Sequence, residues 1–257
     1  MIRYGCVGDP QNPAIVLIHG FLGTPFDWTS VAARIDDDLF CVVLTLPGHA
    51  GAPISRDADN GFPEVCSDIK TILDRLEINT AVFAGYSLGG RVALEFSKTH
   101  AHRVRHLIAI SAHFGLDNSS ERHDRLTADQ ELATQLLSLP FPQFLDNWYN
   151  NPLFASIHDH PQLEPYLSEK IRLHKPVDIA AALTRFSLGH QTPFDWATSS
   201  FPIDYLAGKN DEKYRVYGFT LPDIERIQLS VVPESGHAVL FQQPDAISEL
   251  ILSRMPF

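Results

Sequence analysis

Short apolar runs rich in valine and isoleucine alternate along most of the chain with longer amphipathic segments. Each short run lies between turn-forming residues and has apolar side chains on both faces, which is typical of a strand buried within a parallel sheet. The predicted strands are Ile15–Ile18, Cys41–Leu44, Ala81–Ala84, Leu107–Ile110, Ile203–Ala207 and Ile227–Val232. Residues Ile2–Val7 could add an N-terminal strand.

Helical periodicity marks the segments between these strands. The clearest predicted helices are Glu64–Leu76, Leu88–Thr99 and Asp245–Ser253. Buried strands separated by helices predict an α/β fold, with a mostly parallel central sheet and helices packed on both faces.

The alternation breaks over residues 115–200, where helical segments follow one another without strands and aromatic residues are frequent. We therefore predict one domain over residues 1–257, with a core of 1–114 and 201–257 and a helical cap insertion at 115–200. Such a cap would cover the C-terminal edge of the sheet, where open α/β sheets bind their substrates.

The pentapeptide Thr-Pro-Phe-Asp-Trp occurs twice, at Thr24–Trp28 and at Thr192–Trp196. Threonine at an N-cap, proline at the first helical position and aspartate in the first turn form a helix-start signal. We interpret the repeat as two helix starts of similar chemistry, not as an internal duplication.

Composition and charge narrow the function classes. The 257 residues are 44% hydrophobic and 20% charged, which is typical of a globular protein. The formal net charge is −11, from 31 acidic residues against 20 Lys and Arg residues. An acidic surface disfavours binding to nucleic acid or to an anionic membrane. The same charge argues at first sight against an anionic substrate, but a ligand meets only its pocket, not the whole surface.

Cysteine content and apolar runs bear on the cellular setting. Three scattered cysteines are too few for a disulfide framework, and no CxxC pair indicates zinc. The N-terminal residues lack the apolar stretch of a secretory signal, and no apolar run approaches the roughly 20 residues that cross a bilayer. We expect a cytoplasmic protein that inserts into no membrane, with a monomer as the simplest expectation.

A candidate nucleophile lies in Gly85-Tyr86-Ser87-Leu88-Gly89, which matches the G-x-S-x-G pattern. A predicted strand ends just before this segment and a predicted helix starts just after it. A nucleophile elbow needs that strand–turn–helix arrangement, because small residues on either side of the serine allow the sharp turn that exposes its Oγ. The alternative is a serine in an ordinary tight turn.

A serine nucleophile or base needs an acid and a histidine, which follow it in chain order in this architecture. Two later predicted strands end in glycine-containing loops that carry Asp211 and His237. Asp211 would fix the imidazole tautomer of His237, which would take the proton of Ser87. Glu212 is the alternative acid.

An oxyanion hole is the next requirement. The first predicted buried strand runs into His19-Gly20-Phe21-Leu22-Gly23. We expect the backbone N–H groups of Phe21 and Leu88 to form the hole, with His19 bracing the loop. These pieces in this order predict an α/β-hydrolase fold, but they do not identify a reaction.

Arginines indicate the kind of ligand. Arg91 follows Ser87 by four residues, so both share a helix face, and a cation in the first turn opposes the helix dipole. A residue that opposes the helix dipole beside a nucleophile suggests a functional role. The alternative is a solvated arginine, because the unfavourable interaction with the dipole is small. The cap contains Arg122, Arg125 and Arg172, whose planar guanidinium groups could bind carboxylates, and the aromatic pair Trp148-Tyr149, which packing alone could explain.

Three segments carry a resemblance to a known family. They are Gly85-Tyr86-Ser87-Leu88-Gly89-Gly90-Arg91-Val92-Ala93, Asp146-Asn147-Trp148-Tyr149-Asn150-Asn151-Pro152-Leu153-Phe154-Ala155-Ser156 and Gly208-Lys209-Asn210-Asp211-Glu212-Lys213-Tyr214. The chain resembles the 2-succinyl-6-hydroxy-2,4-cyclohexadiene-1-carboxylate synthases of menaquinone biosynthesis over nearly its whole length. The third segment departs mildly from the family's usual Gly-x-Arg-Asp but keeps the acid.

The resemblance implies a lyase that eliminates pyruvate from 2-succinyl-5-enolpyruvyl-6-hydroxy-3-cyclohexene-1-carboxylate, a small-molecule tricarboxylate, without a cofactor. Ser87, assisted by His237 and Asp211, would abstract a ring proton. The implied substrate-binding residues are Tyr86, Arg91, Arg125, Trp148, Tyr149 and Arg172. A carboxylester or carbon–carbon-bond hydrolase with the same triad is the alternative function, and a non-catalytic receptor on this fold is a second alternative.

Overall fold

The computed structural model describes residues 2–55, 59–196 and 199–255, which contain one seven-stranded sheet. The strands are β1 (Arg3–Val7), β2 (Ala14–Ile18), β3 (Phe40–Thr45), β4 (Ala81–Tyr86), β5 (Val104–Ile110), β6 (Ile203–Gly208) and β7 (Ile227–Val232). Their order across the sheet is β1-β3-β2-β4-β5-β6-β7, and only β1 pairs antiparallel to its neighbour. The predicted mostly parallel α/β sheet is confirmed.

Helices surround this sheet. They are α1 (Thr29–Ile35), α2 (Phe62–Arg75), α3 (Leu88–Thr99), α4 (Ser119–Ser138), α5 (Phe141–Tyr149), α6 (Leu163–Leu173), α7 (Pro176–Arg185), α8 (Glu212–Gly218), α9 (Val239–Gln242) and α10 (Pro244–Ser253). Short 3₁₀ turns occupy Pro25–Trp28, Ala101–Arg103, Pro152–Ile157 and Leu188–His190. In the part of the chain that the structure describes, no helix is both long and apolar enough to span a bilayer.

The apolar runs are explained by burial on both faces of the sheet. Along β2, Val16 and Ile18 pack with α2 and α3, whereas Ile15 and Leu17 pack in the separate cluster that includes α1 and α10. Successive side chains of a strand point to opposite faces, so a strand covered on both sides must be apolar throughout.

The predicted burial of the last strand is wrong in part. β7 lies at the edge of the sheet, and its residues are mostly half-buried or exposed, with Val231 39% exposed. An edge strand has a neighbour on one side only, and helices cover it less completely. The segment at Ile2–Val7 does form a strand over Arg3–Val7, at the opposite edge.

The segment between β5 and β6 carries α4, α5, α6 and α7 and, among its described residues, no strand. These helices build an apolar cluster of their own that also includes Leu22 and Ala238, each beside a loop with candidate chemistry. The segment therefore packs directly over the C-terminal ends of β2 and β7. We propose that residues 115–200 form a cap on a core of residues 1–114 and 201–257.

The two Thr-Pro-Phe-Asp-Trp segments fold differently. Thr24 caps the 3₁₀ turn Pro25–Trp28 in a capping box with Asp27, as the helix-start signal predicts. The second helix start, at Thr192–Trp196, is wrong because this segment is not helical. The N–H of Phe194 instead donates to the carbonyl of Phe114 at 2.8 Å, so tertiary pairing overrides the local signal.

Candidate active site

Ser87 lies at a sharp turn between β4 and α3. Its backbone has φ 50° and ψ −108°, a left-handed conformation that is strained for a residue with a side chain. A Cβ on Gly85 would lie 2.4 Å from the carbonyl carbon of Gly89, and a Cβ on Gly89 would lie 2.1 Å from the carbonyl oxygen of Ile18. Glycine is therefore required on both sides of the serine, as a nucleophile elbow demands.

Asp211 and His237 meet at the C-terminal ends of β6 and β7. The Oδ2 atom of Asp211 lies 2.8 Å from Nδ1 of His237, and both side chains are buried. Because a carboxylate only accepts hydrogen bonds, Nδ1 carries the proton and Nε2 is left free to accept one. Glu212, the alternative acid, is exposed.

Two further groups hold the Asp211 carboxylate. The hydroxyl of Ser111 donates to Oδ2 at 3.0 Å, and the N–H of Tyr214 donates to Oδ1 at 3.2 Å. Ser111 is fully buried just after β5 and, like Ser87, has a positive φ, of 47°. Sequence reasoning missed Ser111, because nothing in its neighbourhood along the chain marks it.

Phe21 and Leu88 line the same cavity as Ser87 and His237. Leu88 is the first residue of α3, where backbone N–H groups lack partners within the helix. His19 braces the loop of Phe21. Its Nδ1 donates to the Gly20 carbonyl at 2.8 Å, while its Nε2 accepts from the Leu46 N–H at 3.1 Å. Burial lowers the pKa of His19 to about 4, so the ring is neutral in this role.

Two of the predicted arginines line the cavity. Nη1 of Arg91 donates to the Phe186 carbonyl at 2.8 Å and to the Gln191 side-chain oxygen at 3.1 Å, both neutral acceptors. Burial and the nearby Arg125 lower the pKa of Arg91 to about 10, so it remains charged at neutral pH. Arg125 itself pairs with Asp129 at 2.9 Å.

The structure does not bring Arg172 into the cavity. Its side chain is exposed near the end of α6. This helix packs inward through Lys170, which is fully buried and pairs with Asp27 at 2.6 Å. Residues two apart on a helix point in very different directions, so Arg172 faces away from the site. The expectation that Arg172 binds the substrate therefore disagrees with its position in the structure.

Lys213 lines the cavity instead and was missed. It lies in the first turn of α8. Like Arg91, it is a cation in the first turn of a helix, where the helix dipole disfavours positive charge. The sequence therefore contained a signal for Lys213.

The predicted aromatic residues Tyr86, Trp148 and Tyr149 all line the cavity. Trp148 packs edge-on against Phe21, with 5.1 Å between ring centroids, while Tyr149 is also part of the cap's apolar cluster. Phe154 contacts the His237 ring edge-on at 5.6 Å. The aromatic pair therefore has both a packing role and a position at the cavity wall.

Within residues 2–55, 59–196 and 199–255, no group of three or more His, Cys, Asp and Glu side chains is arranged to hold a metal ion.

Known proteins share this sequence pattern and architecture. Residues 15–250 match the model of the alpha/beta hydrolase family. The 2-succinyl-6-hydroxy-2,4-cyclohexadiene-1-carboxylate synthase of Yersinia pestis (strain Pestoides F) is 32% identical over 248 residues, which cover 94% of this chain and 87% of that protein. A Yersinia pseudotuberculosis (serotype O:1b, strain IP 31758) protein of the same name is 31% identical over the same shares.

Solved structures share the fold. MenH from S. aureus superposes with a TM-score of 0.89 at 24% identity, covering 98% of this chain and 97% of that one. A thermophilic esterase from Thermogutta terrifontis superposes with a TM-score of 0.81 at 19% identity, covering 98% and 92%. Because an esterase also has this fold, the fold alone does not identify the reaction, which must be argued from the site.

Proposed function

Because this chain belongs to the alpha/beta hydrolase family, and within it to the 2-succinyl-6-hydroxy-2,4-cyclohexadiene-1-carboxylate synthases, we propose that it is a carbon–oxygen lyase of menaquinone biosynthesis. The proposed reaction is the 2,5-elimination of pyruvate from 2-succinyl-5-enolpyruvyl-6-hydroxy-3-cyclohexene-1-carboxylate. The second product is 2-succinyl-6-hydroxy-2,4-cyclohexadiene-1-carboxylate. The two products together contain every atom of the substrate, so neither water nor an oxidant is consumed.

The observation that carries this proposal is the uncompensated charge of Arg91. Its guanidinium group lines the cavity four residues after Ser87 and is hydrogen-bonded to neutral oxygens. Leaving a largely buried cation without a carboxylate partner is costly unless a ligand supplies the negative charge. The substrate has three carboxylates, whereas a neutral ester has no use for this cation.

The first chemical step is a proton abstraction. Ser87 would remove the ring proton α to the succinyl ketone while its own hydroxyl proton passes to Nε2 of His237. Asp211 holds the imidazole through Nδ1 and stabilises the positive charge that develops on the ring. The enolate oxygen would accept hydrogen bonds from the N–H groups of Phe21 and Leu88, without an acyl-enzyme.

The second step breaks the bond between the ring carbon and the enolpyruvyl oxygen. The electron pair of the enolate forms a double bond between ring carbons 2 and 3, the original double bond moves to carbons 4 and 5, and pyruvate leaves from carbon 5 as its enolate. The proton held by His237 and Ser87 returns to the departing group, which becomes pyruvate. The triad is restored with no net change in protonation.

An esterase or carbon–carbon-bond hydrolase is the alternative, favoured by the similarity to the Thermogutta terrifontis esterase and by the Asp211–His237 pair, which both chemistries would use. It would form an acyl-enzyme on Ser87 and would not depend on Arg91.

A coupled assay separates the two functions. Purified protein is given the enolpyruvyl substrate, and pyruvate is followed by lactate dehydrogenase. An activated ester is tested in parallel. We expect pyruvate release that is abolished in Ser87→Ala, reduced at least about 100-fold in kcat/KM in Arg91→Ala, and unchanged in Arg105→Ala, an exposed arginine on β5 outside the cavity. Ester cleavage with no pyruvate release would establish the hydrolase instead.

A further inference from the structure

Lys213 occupies a junction between two cavities. It lines the active-site cavity together with Ser87 and Arg91. It also lines an adjoining cleft whose wall includes Gln135 and Asn147 of the cap helices. Trp148, Leu153 and Phe154 are shared by both. The lysine therefore stands where the active-site cavity meets a more exposed cleft.

No described carboxylate pairs with this ammonium group: among residues 2–55, 59–196 and 199–255, none lies within 4.0 Å of it. Its place in the first turn of α8 opposes the helix dipole. Burial and the positive charge of Arg125 lower its pKa, against the opposing effect of Asp211. The fold thus keeps a cation where local electrostatics disfavour one.

Some of the charged side chains that line the cavity form ion pairs. Asp129 neutralises Arg125, and Lys170 neutralises Asp27. Arg91 and Lys213 remain without carboxylate partners among the described residues. The lining therefore keeps two cations without a direct carboxylate partner, although Asp211, which does not line the cavity, also attracts Lys213. A ligand with two carboxylates would pair with both cations.

We propose that Lys213 binds a carboxylate of the substrate at the cavity mouth, a role that sequence reasoning gave to Arg172. The identity of that substrate rests on the proposed function. Because Lys213 lies at the junction of the two cavities, the contact forms in the ground state and persists in the transition state. Its loss then raises KM and leaves kcat nearly unchanged.

The test compares Lys213→Gln with Lys213→Arg, which keeps the positive charge. In the pyruvate assay we expect Lys213→Gln to raise KM about 10- to 100-fold, as the loss of a charge-assisted contact predicts, with kcat within about twofold. Lys213→Arg should keep most of the affinity. Lys209→Gln removes an exposed lysine four residues earlier that lines neither cavity, and it should leave KM unchanged.

A binding measurement makes this inference independent of turnover. Calorimetry with 2-succinylbenzoate, an aromatic dicarboxylate, should give a Kd about tenfold or more weaker for Lys213→Gln than for the wild type. That result would support the inference even if the wild type released no pyruvate, in which case the proposed function alone would fail. Unchanged KM and Kd in Lys213→Gln, or the expected loss appearing in Arg172→Gln instead, would overturn it.

Discussion

Gln242 and Ser156 hold each other through two hydrogen bonds that join the cap to the core. The Ser156 hydroxyl donates to Oε1 of Gln242 at 3.1 Å, and Nε2 of Gln242 donates to the Ser156 carbonyl at 3.0 Å. The same Oε1 also accepts from the N–H of Gly236 at 2.8 Å. Gly236 precedes His237, so one side chain connects the cap to the loop that carries the histidine.

Replacing Gln242 should therefore misplace His237. We expect Gln242→Leu to lower kcat about tenfold, because the buried N–H of Gly236 loses its acceptor and the loop relaxes. The neighbouring Gln243→Leu provides a matched control, because the Gln243 side chain caps no backbone group. Steady-state kinetics with the pyruvate assay checks the prediction. Equal kcat values for the two variants would mean that the cap contact does not position the histidine.

Ser111 offers a second test of how the Asp211–His237 pair is held in place. Its hydroxyl is one of the groups that bind the Asp211 carboxylate. Ser111→Ala should lower kcat about tenfold, which corresponds to about 1.4 kcal/mol in the barrier. Ser235→Ala is the control, because this equally buried serine donates to the Val232 carbonyl and not to the triad. The prediction is wrong if both variants lose the same activity.

A cluster of buried histidines beside the loop of Phe21 predicts a pH dependence of stability. His49 packs against His19 and His174, with ring centroids 5.1 and 5.7 Å apart. The Nε2–H group of His174 donates to the Leu22 carbonyl at 3.0 Å, and its Nδ1 accepts from the Ala50 N–H at 3.0 Å. Burial lowers the pKa of His174 to about 4, with the Leu22 bond opposing and Lys170 reinforcing the effect.

The sign of the dependence follows from linkage. Unfolded histidine protonates near pH 6.5, whereas His174 stays neutral in the folded protein down to about pH 4. Between these values the unfolded chain binds more protons, so stability falls as the pH falls, by up to about 1.4 kcal/mol per pH unit for each such histidine. We would measure the free energy of unfolding by urea at several pH values between 4.5 and 7. This free energy should change less steeply with pH for His174→Gln than for the wild type. The exposed control His102→Gln should keep the wild-type slope.

The buried ion pair between Lys170 and Asp27 should be essential for stability. Lys170 is fully buried, its Nζ lies 4.1 Å from the centre of the Tyr166 ring, and Oδ2 of Asp27 also accepts from the Thr24 N–H at 3.0 Å. Lys170→Met leaves the aspartate charge without its partner, which should lower the free energy of unfolding by about 3–5 kcal/mol.

Two comparisons complete this experiment, each measured by urea unfolding. The exposed control Lys175→Met should be nearly neutral. Adding Asp27→Asn to Lys170→Met should recover part of the loss, because the unpaired charge is then gone. A Lys170→Met protein as stable as the wild type would contradict the prediction.

Much of the core and of the elbow could be predicted because their constraints are local. A strand buried on both faces must be apolar at every position, and the turn at Ser87 needs glycine at fixed offsets. Asp211 and His237 were predictable because the order of their loops along the chain is set by the fold. Whether a strand lies at the edge of a sheet depends on how all the strands are ordered, not on its own residues. The sequence therefore did not predict the partial exposure of β7.

The cap could be predicted only in outline. Lys170 looks like a surface lysine in its helix, and its burial depends on Asp27, which lies 143 residues earlier in the chain. The orientation of α6 follows from that pair, and with it the outward position of Arg172. Long-range pairing of polar groups leaves no periodic signal in one sequence, which is why Ser111 and Gln242 also escaped notice.

Two of the attachments between the cap and the core reach loops that carry candidate catalytic residues. Gln242 ties the cap to the loop of His237, while His174 and Lys170 tie it to the segment that carries Phe21, Leu22 and Asp27. Lifting the cap would break these two attachments, together with the contacts of Arg91 with Phe186 and of Arg185 with Glu64. Amide hydrogens of the two loops and of the cap should therefore exchange with solvent as one cooperative unit, at a lower free energy of opening than the central strands. The candidate catalytic loops would then fold and unfold together with the cap.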